Sequence, residues 1–279
     1  MAATPSAPSH RWRKRAIQLA LVVALLGMLA WRAQPDGRLH VVFLETKGDA
    51  ALIQTPAGRY VLIDGGADPT ALATGLGRRV PFWRRTLDAV VLTSRDSMHL
   101  PGQIAALARY HAGLAIAPPG VGKEDALLLE WLRLLDEGRT PIRAARAGQR
   151  LDIGGAMIRV LAAGDGDEAG MVLRLDYGAT SILFDHTGGE ADEQALLRAG
   201  ALRPATIVAF PWQRDPHTAI LGALRPRALV LTDGWQVDPP VEQTFRERAI
   251  GGARLLHERL DGTIEWISDG KDSWIVTER

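Results

Sequence analysis

Phe43-Leu44-Glu45-Thr46-Lys47-Gly48-Asp49-Ala50-Ala51-Leu52-Ile53-Gln54-Thr55-Pro56-Ala57-Gly58-Arg59-Tyr60-Val61-Leu62-Ile63-Asp64-Gly65-Gly66 is the stretch on which the reading of this chain turns. Its apolar runs, with Leu39–Leu44 before them, read as three short strands, Leu39–Leu44, Ala51–Thr55 and Tyr60–Asp64. The turn residues Pro56-Ala57-Gly58 join the last two. The third strand ends in a carboxylate, and the glycines after it allow a tight backbone turn. A fourth strand, Asp88–Leu92, runs directly into Thr93-Ser94-Arg95-Asp96-Ser97-Met98-His99-Leu100-Pro101-Gly102.

Working outward, strand-like and helix-like segments alternate. Pro69–Leu76, Gln103–Tyr110 and Glu124–Asp136 read as helices, the last with an apolar face of Leu127, Leu128, Trp131, Leu134 and Leu135. Leu114–Ala117 reads as a strand between them. The second half carries strands at Gln149–Asp152, Met157–Leu161, Met171–Tyr177, Thr180–Phe184, Thr206–Ala209, Ala228–Thr232, Arg254–His257, Thr263–Ser268 and Ser273–Thr277. Helices are expected at Glu190–Arg198, His217–Leu224 and Val241–Ala249. Strands grouped in twos and threes between helices predict an α/β fold of two mixed sheets packed face to face with helices outside.

Gly48–Gly66 and the C-terminal segment LDGTIEWISDGKDSWIV (Leu260–Val276) resemble the metallo-β-lactamase superfamily. Within it, they are most similar to the C-terminal domain of ComEC-type competence proteins. The likeness runs from about Arg38 to the C-terminus and implies an αββα sandwich, with an ancestral metal-dependent phosphodiesterase or nuclease activity serving DNA uptake. In that family the fourth strand enters H-x-[HD]-x-D-H-x-G-G, where imidazoles and carboxylates grip divalent metal. Here those positions are Ser94, Asp96, Met98 and His99, followed by Pro101-Gly102, so two of four ligands are lost and an altered helix start is expected. The bridging aspartate of the family falls on Thr187, with Asp185 two residues away, and its H-H-G on Trp212-Gln213-Arg214.

These substitutions predict a vestigial cleft around Asp49, Asp64, Gly65, Gly66, Ser94, Asp96, Met98, His99, Asp185, Thr187 and Trp212. Its expected role is a non-catalytic binding or scaffolding module with no catalytic residues, no bound metal and no cofactor. Asp49 and Asp64 are expected to brace loops, and Asp96 to cap the helix near residue 100. The alternative is an active hydrolase holding zinc or manganese through Asp96, His99, Asp185 and His186. His10, His40, His111 and His257 fit no ligand pattern, and His217 reads as the start of a helix. There is no Walker loop, no G-x-S-x-G elbow and no G-x-G-x-x-G after a strand.

The chain has 279 residues, 47% of them hydrophobic, enough for one substantial core, and no cysteine, which removes thiolate metal sites and disulfides. Residues 1–15 form a tail with the basic cluster Arg11, Arg13, Lys14, Arg15, and residues 16–32 contain the uncharged run Ala16–Trp31. That run predicts a membrane anchor, with the N-terminus cytoplasmic and the domain, residues 38–279, outside the cell. A cleaved signal peptide competes, but Ala30 and Ala33 are preceded by Met28 and Trp31 rather than by small residues. Five of the 33 Lys and Arg lie in residues 1–32, so the remaining 28 face 32 Asp and Glu, a net of −4. Such a body lacks the electrostatic footprint of a strong nucleic-acid binder, and the basic-aromatic stretch Arg78–Arg85 reads as a solvated loop. A protein partner remains open.

Overall fold

The computed structural model describes residues 10–32, 34–120, 126–164, 170–186, 190–215, 218–232 and 252–279. The expected helix Val241–Ala249, His217 and Thr187 lie outside the described residues. Two units are present, Met1–Asp36 and Gly37–Arg279.

The first unit is the helix α1 (His10–Arg32). Among the described residues no helix is long and apolar enough to cross a membrane, so the expected transmembrane anchor finds no support in α1. The uncharged run has 16 residues, about 24 Å at 1.5 Å per residue, against a hydrocarbon core of about 30 Å. The rest of the helix is His10-Arg11-Trp12-Arg13-Lys14-Arg15 before the run and Arg32 after it.

The second unit is built on two mixed sheets, as the strand grouping predicts. One contains β1 (Leu39–Phe43), β2 (Ala50–Gln54), β3 (Tyr60–Asp64), β5 (Ala89–Val91), β7 (Ala115–Ala117) and β8 (Ile142–Ala144). The C-terminal hairpin β16 (Ile264–Ser268) and β17 (Ser273–Thr277) joins it, giving the order β17-β16-β1-β2-β3-β5-β7-β8. The other contains β9 (Arg150–Asp152), β10 (Met157–Ala163), β11 (Met171–Tyr177), β12 (Thr180–His186), β13 (Ile207–Pro211), β14 (Ala228–Thr232) and β15 (Arg254–His257), in the order β15-β14-β13-β12-β11-β10-β9. A two-stranded ribbon of β4 (Thr86–Leu87) and β6 (His111–Ala112) completes the strands.

Alternation along the strands sets the layers. Val41, Phe43, Ile53, Ile63 and Val91 of the first sheet meet Ile158, Leu173, Phe184, Ile207 and Val230 of the second in the central core. The opposite face of the first sheet, with Val42, Leu52, Leu62 and Val90, is covered by α2 (Pro69–Arg79), α3 (Leu100–Leu107) and α4 (Ala126–Glu137). Helices α5 (Glu190–Arg198) and α6 (Ala219–Leu224) cover Leu183, Val208 and Phe210 on the second sheet, and a short helix, α7 (Glu258–Asp261), follows β15. Because β3 and β12 are buried on both faces, their middles, Val61–Ile63 and Ile182–Phe184, are apolar, and each strand ends in polar residues at its carboxyl end, Asp64 and Asp185-His186.

Three loops are laced together at those ends. Asp49 N donates to Met98 O (3.0 Å), Gly66 N to Asp49 O (2.8 Å), Gly65 N to His99 O (2.7 Å) and Gly102 N to Gly66 O (3.0 Å). Pro101 sits in the first turn of α3, where its missing N–H costs nothing, so the loss of the glycine pair leaves the helix start intact. A side chain at Gly65 or Gly102 would collide with the other loop's backbone. Gly65→Ala is expected to cost about 3 kcal/mol. Urea denaturation checks this against Gly77→Ala, whose Cβ meets nothing.

Candidate metal centre

Asp64 closes β3 in the left-handed region (φ 55°), with its carboxylate fully buried. Thr93, just after β5, satisfies it twice: its N–H donates to Oδ1 (2.7 Å) and its hydroxyl to Oδ2 (2.6 Å). His186, the last residue of β12, reaches across from the second sheet. Its Nδ1 lies 2.7 Å from Thr93 Oγ1 and 3.1 Å from Asp64 Oδ2. With the hydroxyl proton committed to Asp64, Nδ1 must be the donor, which leaves Nε2 free.

His99 is held in the same way from the other side. Its Nδ1 is 2.5 Å from Asp96 Oδ1, and Asp96 is itself fixed by Met98 N (2.8 Å) and Ser94 Oγ (2.9 Å). The Nε2 atoms of both rings converge on Asp49 in the loop between β1 and β2, at 3.0 Å for His99 and 3.5 Å for His186. These are ion-pair distances, but the geometry is not that of hydrogen bonds. Among the described residues, both Asp49 oxygens and both Nε2 atoms are buried with no partner in hydrogen-bond geometry. Asp49, His99 and His186 thus present three donors at one point. Each ring is tethered at Nδ1 beside a carboxylate, the arrangement that orients histidine toward a metal.

The electrostatics follow from this crowding. Burial pushes the Asp49 carboxyl up, but His186 and His99 overcome it and hold the group well below the usual carboxylate range. Burial disfavours charge on His99, yet Asp64 and Asp49 raise it well above the ordinary histidine value; Asp49 and Asp64 do the same for His186 to a lesser degree. His257, the last residue of β15, goes the other way. Burial and Arg259 lower it to about 3, and its Nδ1 accepts Arg259 N (3.0 Å), so the neutral ring carries its proton on Nε2. That Nε2 is buried with no partner in hydrogen-bond geometry among the described residues, and Thr232 Oγ1 is buried as well. The Thr232 hydroxyl lowers the Asp49 pKa further.

The structure regroups the residues expected from sequence. Of the alternative ligand set, His99 and His186 come together, but Asp96 serves the far nitrogen of His99. Asp185 faces Arg214 (3.4 Å), which also pairs with Glu193. Asp49 does brace loops through its backbone, while its side chain is the third donor. Asp96 does not cap α3, whose first flanking residue is His99. Ser94 and Met98 stand on the loop and contribute an orienting hydroxyl and a backbone link. Trp212 is buried against His257, ring centroids 5.5 Å apart. Phe82 and Trp83 form an exposed edge-to-face pair at 4.8 Å. His257 escaped the sequence reading because it belongs to no spaced motif; its place at a strand's carboxyl end was the available signal.

Both histidines bind protons more tightly than free histidine, and a metal ion must displace those protons. Zinc affinity is therefore expected to rise with pH beyond about 6.5, the ordinary histidine value, with proton release on binding. Calorimetry in buffers of different ionisation enthalpy at several pH values checks the sign.

Neither a protein-family model nor a curated protein matches the chain. Solved structures do. A diphosphatase of the PhnP family is 14% identical over 86% of this chain and 98% of its own, with a TM-score of 0.55. The metallo-β-lactamase fold protein YhfI from Bacillus subtilis is 16% identical over 86% of this chain and 100% of its own, at 0.54. CmlA, a diiron β-hydroxylase from Streptomyces venezuelae, is 13% identical over 80% of this chain and 53% of its own, at 0.53. At such identities the likeness is one of architecture, and the architecture of Gly37–Arg279 is the metallo-β-lactamase-like fold.

Proposed function

We propose that the chain is a metal-dependent hydrolase working with a single ion held by Asp49, His99 and His186. The observation that carries this reading is the convergence of three buried groups, an oxygen of Asp49 and the Nε2 atoms of His99 and His186, with both imidazoles anchored at Nδ1. Holding these groups together in a core without good hydrogen-bond geometry is costly, and an ion of the zinc class would satisfy them together. Bound there, the ion would supply Lewis acidity and lower the pKa of a water. The chain fixes both rings through Asp64, Thr93 and Asp96 and keeps His257 neutral. The diphosphatase among the structural neighbours supports a phosphoester or phosphoanhydride as substrate class.

A second reading, a non-catalytic module related to ComEC-type proteins of DNA uptake, is favoured by Ser94, Met98 and Trp212-Gln213-Arg214, which offer no ligands. Metal content and turnover of bis(p-nitrophenyl) phosphate, measured on full-length protein purified without chelators, separate the two. The hydrolase reading expects a stoichiometric metal and turnover. His186→Ala should lose both, Thr93→Val should weaken metal binding about 10- to 100-fold, and Ser94→Ala should change little. Metal-free, inactive protein would establish the module instead.

We also propose that α1 holds the protein at a membrane surface. Its basic start and exposed Leu19, Leu21, Val22 and Val23 suit an anionic bilayer. Carbonate washing should release the protein from membranes; retention would indicate a true span.

A further inference from the structure

The second sheet carries a basic pocket at the end opposite the metal centre. A cavity of about 290 Å³ opens where the parallel strands β12, β13 and β14 begin. His186 closes β12 six residues from Thr180 in the pocket wall, roughly 20 Å away along an extended strand. Arg225 and Arg227, just before β14, and Lys271, in the β16–β17 turn, line this cavity with Arg174, Asp176 and Thr206.

The charges there are unequally spent. Asp176 is already paired with Arg174 (2.7 Å) and Arg159 (3.2 Å). The Arg174 guanidinium also donates to Arg203 O (2.9 Å), Pro204 O (3.0 Å) and Ser181 Oγ (2.8 Å), so it braces the wall. Arg225, Arg227 and Lys271 make no ion pair among the described residues, although they face the same cavity. Arg225 is moreover held at φ 47°, ψ 55° as the residue ending α6, a left-handed position that usually goes to glycine or asparagine. Backbone strain at a charged residue beside a polar cavity is the kind of feature that binding sites retain.

We propose that this pocket binds a phosphate-type oxyanion. Two guanidinium forks and an ammonium match a multiply charged tetrahedral group better than a single carboxylate, and Thr206 supplies a hydroxyl to the same wall. The group comes either on a free small molecule or on a phospholipid head. The site is independent of the metal centre and of the activity proposed for it.

Calorimetric titration of the full chain with pyrophosphate tests the free-ligand source, and co-sedimentation with phosphatidylglycerol vesicles tests the lipid source. Saturable pyrophosphate binding is expected, weakened about tenfold or more by Arg227→Gln with Lys271→Gln. Arg225→Gly should weaken it as well while melting no lower than the parent, because glycine relieves the left-handed backbone. His99→Ala should leave it unchanged. Vesicle capture that Arg225→Gly lowers, without pyrophosphate binding, would support the site and assign it to the lipid head. Because α1 can also bind such vesicles, the proposal is overturned if pyrophosphate does not bind at low ionic strength and Arg225→Gly leaves vesicle capture unchanged, if pyrophosphate binding survives these variants, or if it disappears with His99→Ala.

Discussion

The Asp64 carboxylate is the constraint from which the rest of the site follows. It is completely buried, at the end of a central strand, in a backbone conformation that non-glycine residues seldom adopt. An ionised carboxylate in such a place costs several kcal/mol unless its oxygens are satisfied. Thr93 and His186 satisfy them, one from the first sheet's side and one from the second. The clasp therefore joins the carboxyl ends of the two sheets and fixes which nitrogen of His186 is free. Without it, the ring would have no reason to aim Nε2 at Asp49.

The other half of the cleft is organised by a cation that belongs to the chain. Arg214 takes Asp185 and Glu193 as partners and lies over Phe210, 4.9 Å from the ring centroid. The resemblance places further ligands in this segment, and the structure puts a guanidinium beside the carboxylates there. A centre with one ion fits these residues, because the pairing of Asp185 leaves Asp49 as the carboxylate aimed at the histidines. His257 adds a neutral donor whose tautomer is set by the backbone of Arg259.

Much of the fold was legible because strands buried on both faces carry unbroken apolar runs, as Val61–Ile63 of β3, Ile182–Phe184 of β12 and Ile207–Phe210 of β13 do. The membership of the C-terminal hairpin in the first sheet rests on β1 pairing with β16, a contact spanning the chain that no local pattern announces. At the site, His99 and His186 were grouped by the alternative ligand set, but with Asp96 and Asp185 rather than Asp49, since which carboxylate faces both rings depends on how β12 and the loop after β5 meet through packing of the sheets. Asp49 was legible as a loop brace through the Gly48-Asp49-Ala50 turn. Its second role depends on the two rings that arrive from elsewhere. The expected span at α1 finds no support among the described residues, where no helix is long and apolar enough to cross a membrane.

Anomalous diffraction from crystals grown with zinc tests the central claim most directly. The account predicts one peak per chain, bounded by an oxygen of Asp49 and the Nε2 atoms of His99 and His186, with Asp96 and Asp64 still beside the Nδ1 atoms. A peak coordinated by Asp96 or Asp185, or zinc-grown crystals in which the two rings turn to Asp49 with no peak between them, would contradict it.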